Sequence, residues 1–349
     1  MLVSAPPSMD QDESPAVIAS RMIVGHWLAQ AIQVACELKI PDLLGEGAAS
    51  SEELASATDA DPAAMHRLLR ALASQGVVRH LEDGRFERTD LSDVFRRDVP
   101  GTLGPYARYI TGPDVYRAWG DLLHSIRTGE IAAEHTFEMR FFEYYDRHPE
   151  AGRIFNEAMS SSARWVADDI TTAYDFSDFG TVVDVAGGQG ILLAAILRRN
   201  PAGMGVLFDL PHVIEQARSV LEAEGVAERC RLVAGSFFDG VPSGGDAYVL
   251  KSIIHDWDDE RSLDILSNCR RAMGTSGRLL VIDRVISERI EPTLADQRAT
   301  LMDLNMLVLT GGRERTLPEF EQLFERAGFK LQRSVPTSTG LHVIEGLPG

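Results

Sequence analysis

Cysteine is scarce in this chain, and long apolar runs are missing. The 349 residues contain three cysteines, Cys36, Cys230 and Cys269, whose spacing matches no zinc motif and no redox motif. This pattern predicts a reduced, cytoplasmic setting without structural disulfides. The longest apolar run, residues 191–197, is far shorter than the roughly 20 residues that a membrane-spanning helix needs.

Basic residues are also in short supply. Lysine and arginine number 34 and aspartate and glutamate 52, so the formal net charge is −18. Such a surface repels the phosphates of nucleic acids and anionic lipids, and we therefore expect neither a nucleic acid nor a membrane as a partner. The apolar fraction of 44% is typical of a globular protein with a large core, and the length predicts two domains.

The N-terminal third reads as a helical domain. Residues 1–13 are polar and proline-rich, which predicts a disordered tail without the features of a signal peptide. Residues 14–40 predict one long helix that begins at Ser14 and Pro15, and its apolar residues cover more than one face. A helix of this kind at a domain edge favours contact with a partner subunit, so residues 14–100 are interpreted as a dimerisation domain.

Within this domain, residues 50–98 have the pattern of a winged helix. Ser50 and Glu53 predict a capping box, a second helix follows Asp61, and two short strands are predicted at 77–80 and 85–89. The segment has seven arginines, no lysine and ten acidic residues, a net charge of −3. A recognition helix needs a basic surface, so a scaffold for dimerisation is favoured over a DNA-binding regulator.

Two further segments follow. Residues 101–176 are helical and rich in aromatic residues, and we expect them to bridge the two domains and line a pocket. Residues 177–349 alternate between strand and helix, which predicts a doubly wound, mostly parallel α/β sheet. Strands are predicted at 181–185, 204–208, 230–234, 246–254 and 278–283, helices at 190–199, 211–225, 259–273 and 317–327, and an antiparallel pair at 330–335 and 342–344.

A glycine-rich turn follows the first of these strands. The strand TVVDV contains Asp184, a helix begins after the turn, and the turn itself consists of small residues (Ala186, Gly187, Gly188 and Gly190) that allow close approach of a ligand. The next strand ends at Asp209, followed by Leu210. A carboxylate at this position is typical of a residue that binds a ribose diol.

Two classes of cofactor compete for this turn. Dinucleotide-binding turns need a third glycine where this chain has Ile191, and Asp184 would repel a pyrophosphate. S-adenosylmethionine has an adenosine, no phosphate, a cationic sulfonium and an ammonium group. The turn therefore favours S-adenosylmethionine.

His255 is predicted at the carboxyl edge of the same sheet, and Asp283 ends the next strand. Ligands bind along this edge of open α/β sheets, so we interpret His255 as a general base rather than a structural histidine. The acidic residues after His255 could bind Mg²⁺, but Asp258 and Asp259 are explained as the N-cap and first turn of a helix. We therefore predict no metal.

Six motifs follow one another along the chain: VVDVAGGQG, LFDLPHVIEQAR, GSFFD, LKSIIHDWDDERSLDILSNCRRAM, LLVIDRVI and GGRERTLPEFEQLFERAGF. Together they resemble the small-molecule O-methyltransferases of the plant caffeate and bacterial polyketide-tailoring type. The resemblance implies a Rossmann-like methyltransferase sheet with an antiparallel edge and a winged-helix dimerisation domain. It also implies S-adenosylmethionine as cofactor, independence of metals, a homodimer and a small aromatic, hydroxyl-bearing acceptor.

The resemblance also implies a role for each matching residue. His255 corresponds to the general base, and Asp283 and Glu314 to the acidic residues beside it. The remaining positions correspond to the ribose ligand (Asp209), the adenine contacts (Lys251, Ser236, Phe237) and the acceptor pocket (Phe155, Met159, Asn305).

Three positions depart from the family pattern: Ala186 replaces a glycine, Ser236 a common aspartate, and Asp283 the glutamate of plant members. These leave the predicted reaction in place, namely methyl transfer to a phenolic hydroxyl of a natural product. Three alternatives remain: N- or C-methylation, hydroxylation or cyclisation by the same fold, and a DNA-binding regulator. Asn305 is equally well interpreted as an acceptor ligand or as a core amide.

Overall fold

The computed structural model describes residues 14–349, so the predicted tail at residues 1–13 lies outside the described residues. The chain forms two compact units, one up to Gly112 and one from Pro113 to Gly349. Within the described chain, no helix has both the length and the apolar character needed to cross a bilayer.

The first unit is mainly helical. The hydroxyl of Ser50 accepts the N–H of Glu53 at 3.2 Å, and the carboxylate of Asp61 accepts the N–H of Ala64 at 2.8 Å, so both predicted helix starts are confirmed. The predicted strands pair as an antiparallel hairpin. The elements are α1 Pro15–Ile23, α2 Gly25–Glu37, α3 Ile40–Leu43, α4 Ser51–Thr58, α5 Pro62–Ser74, β1 Val78–His80, β2 Phe86–Arg88, α6 Asp90–Asp93 and α7 Gly104–Ile110.

The prediction of one long helix over residues 14–40 is wrong. The backbone leaves the helical region at Val24 (φ −91°, ψ 4°), so α1 ends at Ile23 and α2 begins at Gly25. Glycine is a poor helix residue, which weakens the helix at this point. Lys39, with φ 58°, separates α2 from α3.

The second unit opens with helices and continues as an alternating α/β domain. Its helical part comprises α8 Pro113–Gly120, α9 Leu122–Thr128, α10 Ala132–Phe137, α11 Phe141–Arg147 and α12 Pro149–Ala173. Its α/β part comprises β3 Thr181–Val185, α13 Ile191–Arg199, β4 Met204–Asp209, α14 Pro211–Ala223, β5 Cys230–Ala234, β6 Ala247–Lys251, α15 Asp259–Ala272, β7 Arg278–Asp283, α16 Leu294–Leu309, α17 Leu317–Arg326, β8 Phe329–Pro336 and β9 His342–Pro348.

One seven-stranded sheet organises this unit, in the order β5-β4-β3-β6-β7-β9-β8. The first five strands in that order are parallel, and β9 pairs antiparallel with both β7 and β8. Alternate residues of β3 enter different cores, Val182 with Leu193 on one face and Val183 with Tyr248 on the other. The predicted doubly wound, mostly parallel sheet with an antiparallel edge is confirmed.

Two local predictions of this region need correction. The strand predicted at 246–254 ends at Lys251, because Ser252 adopts a left-handed backbone (φ 55°) and a short 3-10 turn covers Ile254–Asp256. Helix α16 was not predicted, although the hydroxyl of Thr293 accepts the N–H of Asp296 as an N-cap at 3.1 Å. Its apolar residues do not form a single stripe, so helical periodicity does not reveal it.

Asp169 on α12 binds the turn between β8 and β9. Its carboxylate accepts the backbone N–H and the hydroxyl of both Ser338 (3.2 and 2.9 Å) and Thr339 (2.7 and 2.7 Å). Burial raises the pKa of Asp169, but these hydrogen bonds outweigh burial and lower the pKa to about 2. The stabilisation is therefore present above the unfolded-state pKa near 4 and is lost as the pH falls through about 2.

We expect Asp169→Ala to reduce the free energy of unfolding at pH 7 by about 1–3 kcal/mol, because four donors lose a charged acceptor. The matched control is Asp168→Ala, an exposed neighbour on the same helix, which corrects for the change in helix propensity. Urea or thermal unfolding at pH 7 and near pH 2 measures the effect. Equal stability of the two variants at pH 7 would contradict the assigned role of Asp169.

Candidate active site

The predicted glycine-rich turn lies between β3 and α13. Ala186, Gly188 and Gly190 all have left-handed backbones (φ 56°, 61° and 82°). A Cβ on Gly187 would lie 2.5 Å from the side chains of Asp184 and Leu207, so only glycine fits there. Ala186 is a non-glycine residue in a region that costs free energy, a type of strain that concentrates at functional sites.

Asp209 connects the end of β4 to this turn. One carboxylate oxygen accepts the N–H of Gly188 at 2.8 Å, and the other accepts the N–H of Leu210 at 2.7 Å. The N–H of Ala186 donates to the carbonyl of Phe208 at 2.7 Å. The structure thus brings the turn, Asp209 and the exposed Leu210 together at the carboxyl edge of the sheet.

Asp184 lies beneath the turn and is 1% exposed. Its Oδ2 atom has no hydrogen-bond partner anywhere in residues 14–349. Burial raises the pKa of Asp184 to about 7, the charge of Asp209 adds to this effect, and Lys251 opposes it. Burial also lowers the pKa of Lys251, against the charges of Asp283 and Asp184. A buried, unpaired carboxylate oxygen is costly, which fits a site that receives a ligand with a donor or a cation.

His255 lies in the short turn after β6, among three carboxylates. Its Nδ1 atom is 2.8 Å from Oε1 of Glu314, and its Nε2 atom is 3.9 Å from Oδ1 of Asp256. Asp283, at the end of β7, is fully buried, and neither of its carboxylate oxygens bonds to any described residue; the same holds for Oε2 of Glu314. The structure therefore brings His255 into contact with Glu314, and it places Asp256 and Asp283 near enough for their charges to act on the imidazole.

The carboxylates determine the protonation of this group. Burial lowers the pKa of His255, but the charges of Glu314, Asp283 and Asp256 and the hydrogen bond to Glu314 outweigh burial and raise it to about 10. Burial raises the pKa of Asp283 to about 7, against the charge of His255. Burial likewise raises the pKa of Asp256 to about 6. The imidazole is therefore unusually basic for a histidine.

Two residues of the loop that carries Glu314 were not singled out from the sequence. Arg315 is fully buried and donates to the backbone carbonyls of Ile254 and Trp257, both at 3.0 Å. A Cβ on Gly312 would lie 2.0 Å from the carbonyl oxygen of His255, so the loop touches the histidine turn directly. The quoted motif GGRERT contains both residues and was the available signal.

Aromatic rings of the helical segment extend to the histidine turn. Phe155 on α12 stacks on Tyr145, with ring centroids 5.0 Å apart and planes at 12°. Phe142 on α11 stacks on Trp257 at 5.8 Å. Met159 also lies on α12, next to Ser160, whose hydroxyl donates to Gln189 of the glycine-rich turn at 2.9 Å. This wall of flat rings suits an aromatic ligand.

Asn305 on α16 is nearly buried, and its Oδ1 atom accepts the indole N–H of Trp119 at 2.8 Å. Its amide nitrogen contacts the sulfur of Met302 at 3.8 Å, a weak acceptor. The amide nitrogen therefore keeps donor capacity for a stronger acceptor.

Ser236 and Phe237 follow β5 at the same edge. The hydroxyl of Ser236 accepts the N–H of Phe238 at 3.2 Å, and the ring of Phe237 lies 6.0 Å from that of Trp257. A cavity of about 540 Å³ opens beside Ser236, lined by the end of β5 and the following loop rather than by the histidine turn.

Comparison with known proteins identifies the group to which the chain belongs. Residues 119–330 match the family model of the O-methyltransferase domain, and residues 20–98 match that of the O-methyltransferase dimerisation domain. The chain belongs to the O-methyltransferase family. S-adenosylmethionine is its methyl donor, and structures of its relatives contain this compound or its product S-adenosylhomocysteine.

Individual relatives of this O-methyltransferase act in natural-product biosynthesis. A phenazine O-methyltransferase of Lysobacter antibioticus is 45% identical over 95% of this chain and 96% of that protein. A phenazine-1-carboxylate N-methyltransferase of Pseudomonas aeruginosa is 34% identical over 90% and 92%. A solved O-methyltransferase from neocarzinostatin biosynthesis, in complex with S-adenosylmethionine and 2-hydroxy-5-methyl naphthoic acid, is 31% identical, with a TM-score of 0.77 and coverage of 92% and 96%.

Metal binding was predicted to be absent. Among the side chains of residues 14–349, no group of three or more histidine, cysteine, aspartate or glutamate residues is arranged to hold a metal ion.

Proposed function

We propose that this O-methyltransferase methylates a phenolic hydroxyl of a small aromatic natural product, with His255 as the general base. The observation that carries the proposal is the imidazole of His255, bound through Nδ1 to Glu314 at 2.8 Å beside the unpaired carboxylate of Asp283. A base at the ligand edge of the sheet, oriented by a carboxylate, is the arrangement that proton abstraction needs.

The residues around the glycine-rich turn fit S-adenosylmethionine. The turn allows close approach, Asp209 is a candidate for the ribose hydroxyls, and the unpaired oxygen of Asp184 suits a cationic or donor group. Leu210, Ser236, Phe237 and Lys251 are assigned to the adenosine end. When bound, S-adenosylmethionine supplies a methyl group that is activated by its sulfonium charge.

Proton transfer follows from the environment of His255. With Nδ1–H donating to Glu314, the Nε2 atom is the proton acceptor, and the hydroxyl proton moves to it as the oxygen attacks. The neighbouring carboxylates raise the pKa of His255 to about 10, close to that of a free phenol. The direction of this shift makes the imidazole a stronger base than an ordinary histidine side chain. Asp283 and Glu314 stabilise the imidazolium that forms.

The acceptor site is assigned to the helical part of the second unit. Phe155 and Met159 on α12 offer apolar and aromatic surface, and the amide nitrogen of Asn305 offers a donor to a ring substituent. For the assembly we propose a homodimer through the N-terminal domain. The match to a dimerisation domain supports it, as do the exposed apolar side chains of Met22, Ile23 and Trp27.

The test is incubation of the purified protein with S-adenosylmethionine and a panel of aromatic compounds. The panel pairs each hydroxyl compound, such as a hydroxyphenazine or a hydroxynaphthoate, with its methoxy analogue and its amino analogue. We expect a product 14 Da heavier from hydroxyl compounds only, because a methylene unit is added. Methylation of the amino analogues alone would show N-methylation, and a mass gain of 16 Da would show hydroxylation; either outcome overturns the proposal.

A further inference from the structure

We propose that Arg315 is a positioning residue that fixes the backbone turn of His255 and so keeps the imidazole on Glu314. The inference rests on the proposed role of His255 as the base. It concerns a side chain that lies behind the site and donates hydrogen bonds to two main-chain carbonyls of the turn.

The hydrogen bonds of Arg315 bracket the histidine. Its Nη1 atom donates to the carbonyl of Ile254, the residue before His255, and its Nη2 atom donates to the carbonyl of Trp257, two residues after it. The hydroxyl of Ser262 lies 3.4 and 3.3 Å from the same two carbonyls and 3.3 Å from Nη2. The planar guanidinium presents its donors in a fixed fork, so it holds both carbonyls in one geometry.

Burial makes this arrangement specific. Arg315 is fully buried, and its charge is balanced by Asp259, whose Oδ1 atom lies 2.8 Å from Nη2 and 3.1 Å from Nε. A buried cation that lost these partners would be costly, so the guanidinium has one favourable placement. Arg315 directly follows Glu314 in the sequence. One loop therefore binds the imidazole of His255 through Glu314 and the backbone on either side of His255 through Arg315.

The turn itself needs such support. It begins after Ser252, which has a left-handed backbone, and it contains only a short 3-10 segment. Short 3-10 segments have poor hydrogen-bond geometry and do not fix a side chain by themselves. Displacement of a catalytic group by about 1 Å costs on the order of 10²-fold in rate.

Arg313 offers a matched control. Its Nη2 atom also binds Asp259, at 3.0 Å, but its side chain is 45% exposed. Arg315→Lys and Arg313→Lys each replace a guanidinium group by an ammonium group, which keeps the positive charge, and each affects the carboxylate of Asp259. They differ in the contacts to the carbonyls of Ile254 and Trp257.

The experiment compares Arg315→Lys and Arg313→Lys with the parent protein by two independent readouts. Titration of the His255 imidazole by NMR on histidine-labelled protein, assigned with His255→Gln, reports its contact with Glu314 without any turnover. Steady-state kinetics with S-adenosylmethionine and a hydroxyphenazine report kcat and KM. For Arg315→Lys we expect a lower pKa of His255 and a kcat reduced by about 10–100-fold, with both KM values within about threefold of the parent. Arg313→Lys is expected to match the parent.

Identical His255 titrations in the two lysine variants would overturn the proposal, as would a loss of cofactor affinity as large as the loss of kcat. If Arg315→Lys does not fold, Ser262→Ala weakens the same carbonyl contacts and is judged by the same titration. A parent protein that methylates nothing in the panel removes the proposed reaction, whereas the NMR titration still decides the role of Arg315.

Discussion

Replacing His255 by alanine is expected to reduce methyl transfer by about 10²–10⁴-fold. The hydroxyl proton then loses the Nε2 atom of the imidazole, which is its acceptor in the proposed mechanism, and Glu314 and Asp256 lose the ring that they contact. Cofactor affinity is expected to stay within about threefold, since binding and proton transfer use different residues. Single-turnover assays and calorimetry with S-adenosylmethionine measure the two effects separately.

The control for this substitution is His124→Ala, which removes a histidine of α9 that pairs with Glu130 at 3.0 Å and lies outside the assigned site. Wild-type turnover is expected there. The pH profile gives a second check: His255 must be neutral to accept a proton, and its pKa is raised to about 10, so the parent rate should rise with pH up to about that value. Near-parental turnover by His255→Ala would remove the base from the mechanism.

Gly312→Ala is expected to cause the second large loss. The added Cβ would lie 2.0 Å from the carbonyl oxygen of His255, 2.4 Å from the carbonyl carbon of Asp256 and 2.6 Å from the nitrogen of Trp257. These are backbone atoms and cannot move independently, so the loop and the histidine turn must separate. We expect a reduction in kcat of about 10²-fold and a loss of about 1–3 kcal/mol in the free energy of unfolding.

Gly274→Ala is the matched control, because a Cβ on Gly274 meets no heavy atom within 4 Å and its backbone is not left-handed. Stability and activity of that variant should equal those of the parent. A Gly312→Ala protein with parental kcat would show that contact between the loop and the turn is unimportant.

Part of this site is predictable from the sequence because its signals are local. The small residues between Asp184 and Ile191 and the carboxylate of Asp209 at the next strand end are fixed by strand-turn-helix spacing. The capping residues Ser50 and Asp61 likewise specify helix starts that the structure confirms. Resemblance to a family added Glu314, which no local pattern indicates.

The remainder depends on contacts between segments distant in the sequence. Arg315 binds carbonyls about sixty residues away, and its charge is hidden in the core, which composition alone does not predict. The end of β6 at Lys251 follows from the left-handed Ser252, where apolar periodicity alone favours a longer strand. The apolar pattern of residues 14–40 also favours one continuous helix. The structure instead breaks at Val24, directly before Gly25, a residue type that weakens helices.

The division of the assigned residues between helices and strand ends has an evolutionary consequence. On the assignments proposed above, acceptor-facing side chains such as Phe155 and Asn305 sit on helices, whereas His255 and Asp209 sit on loops after strands. Selection can therefore diversify the helices toward new ring systems while the methyl-donor and base residues remain unchanged.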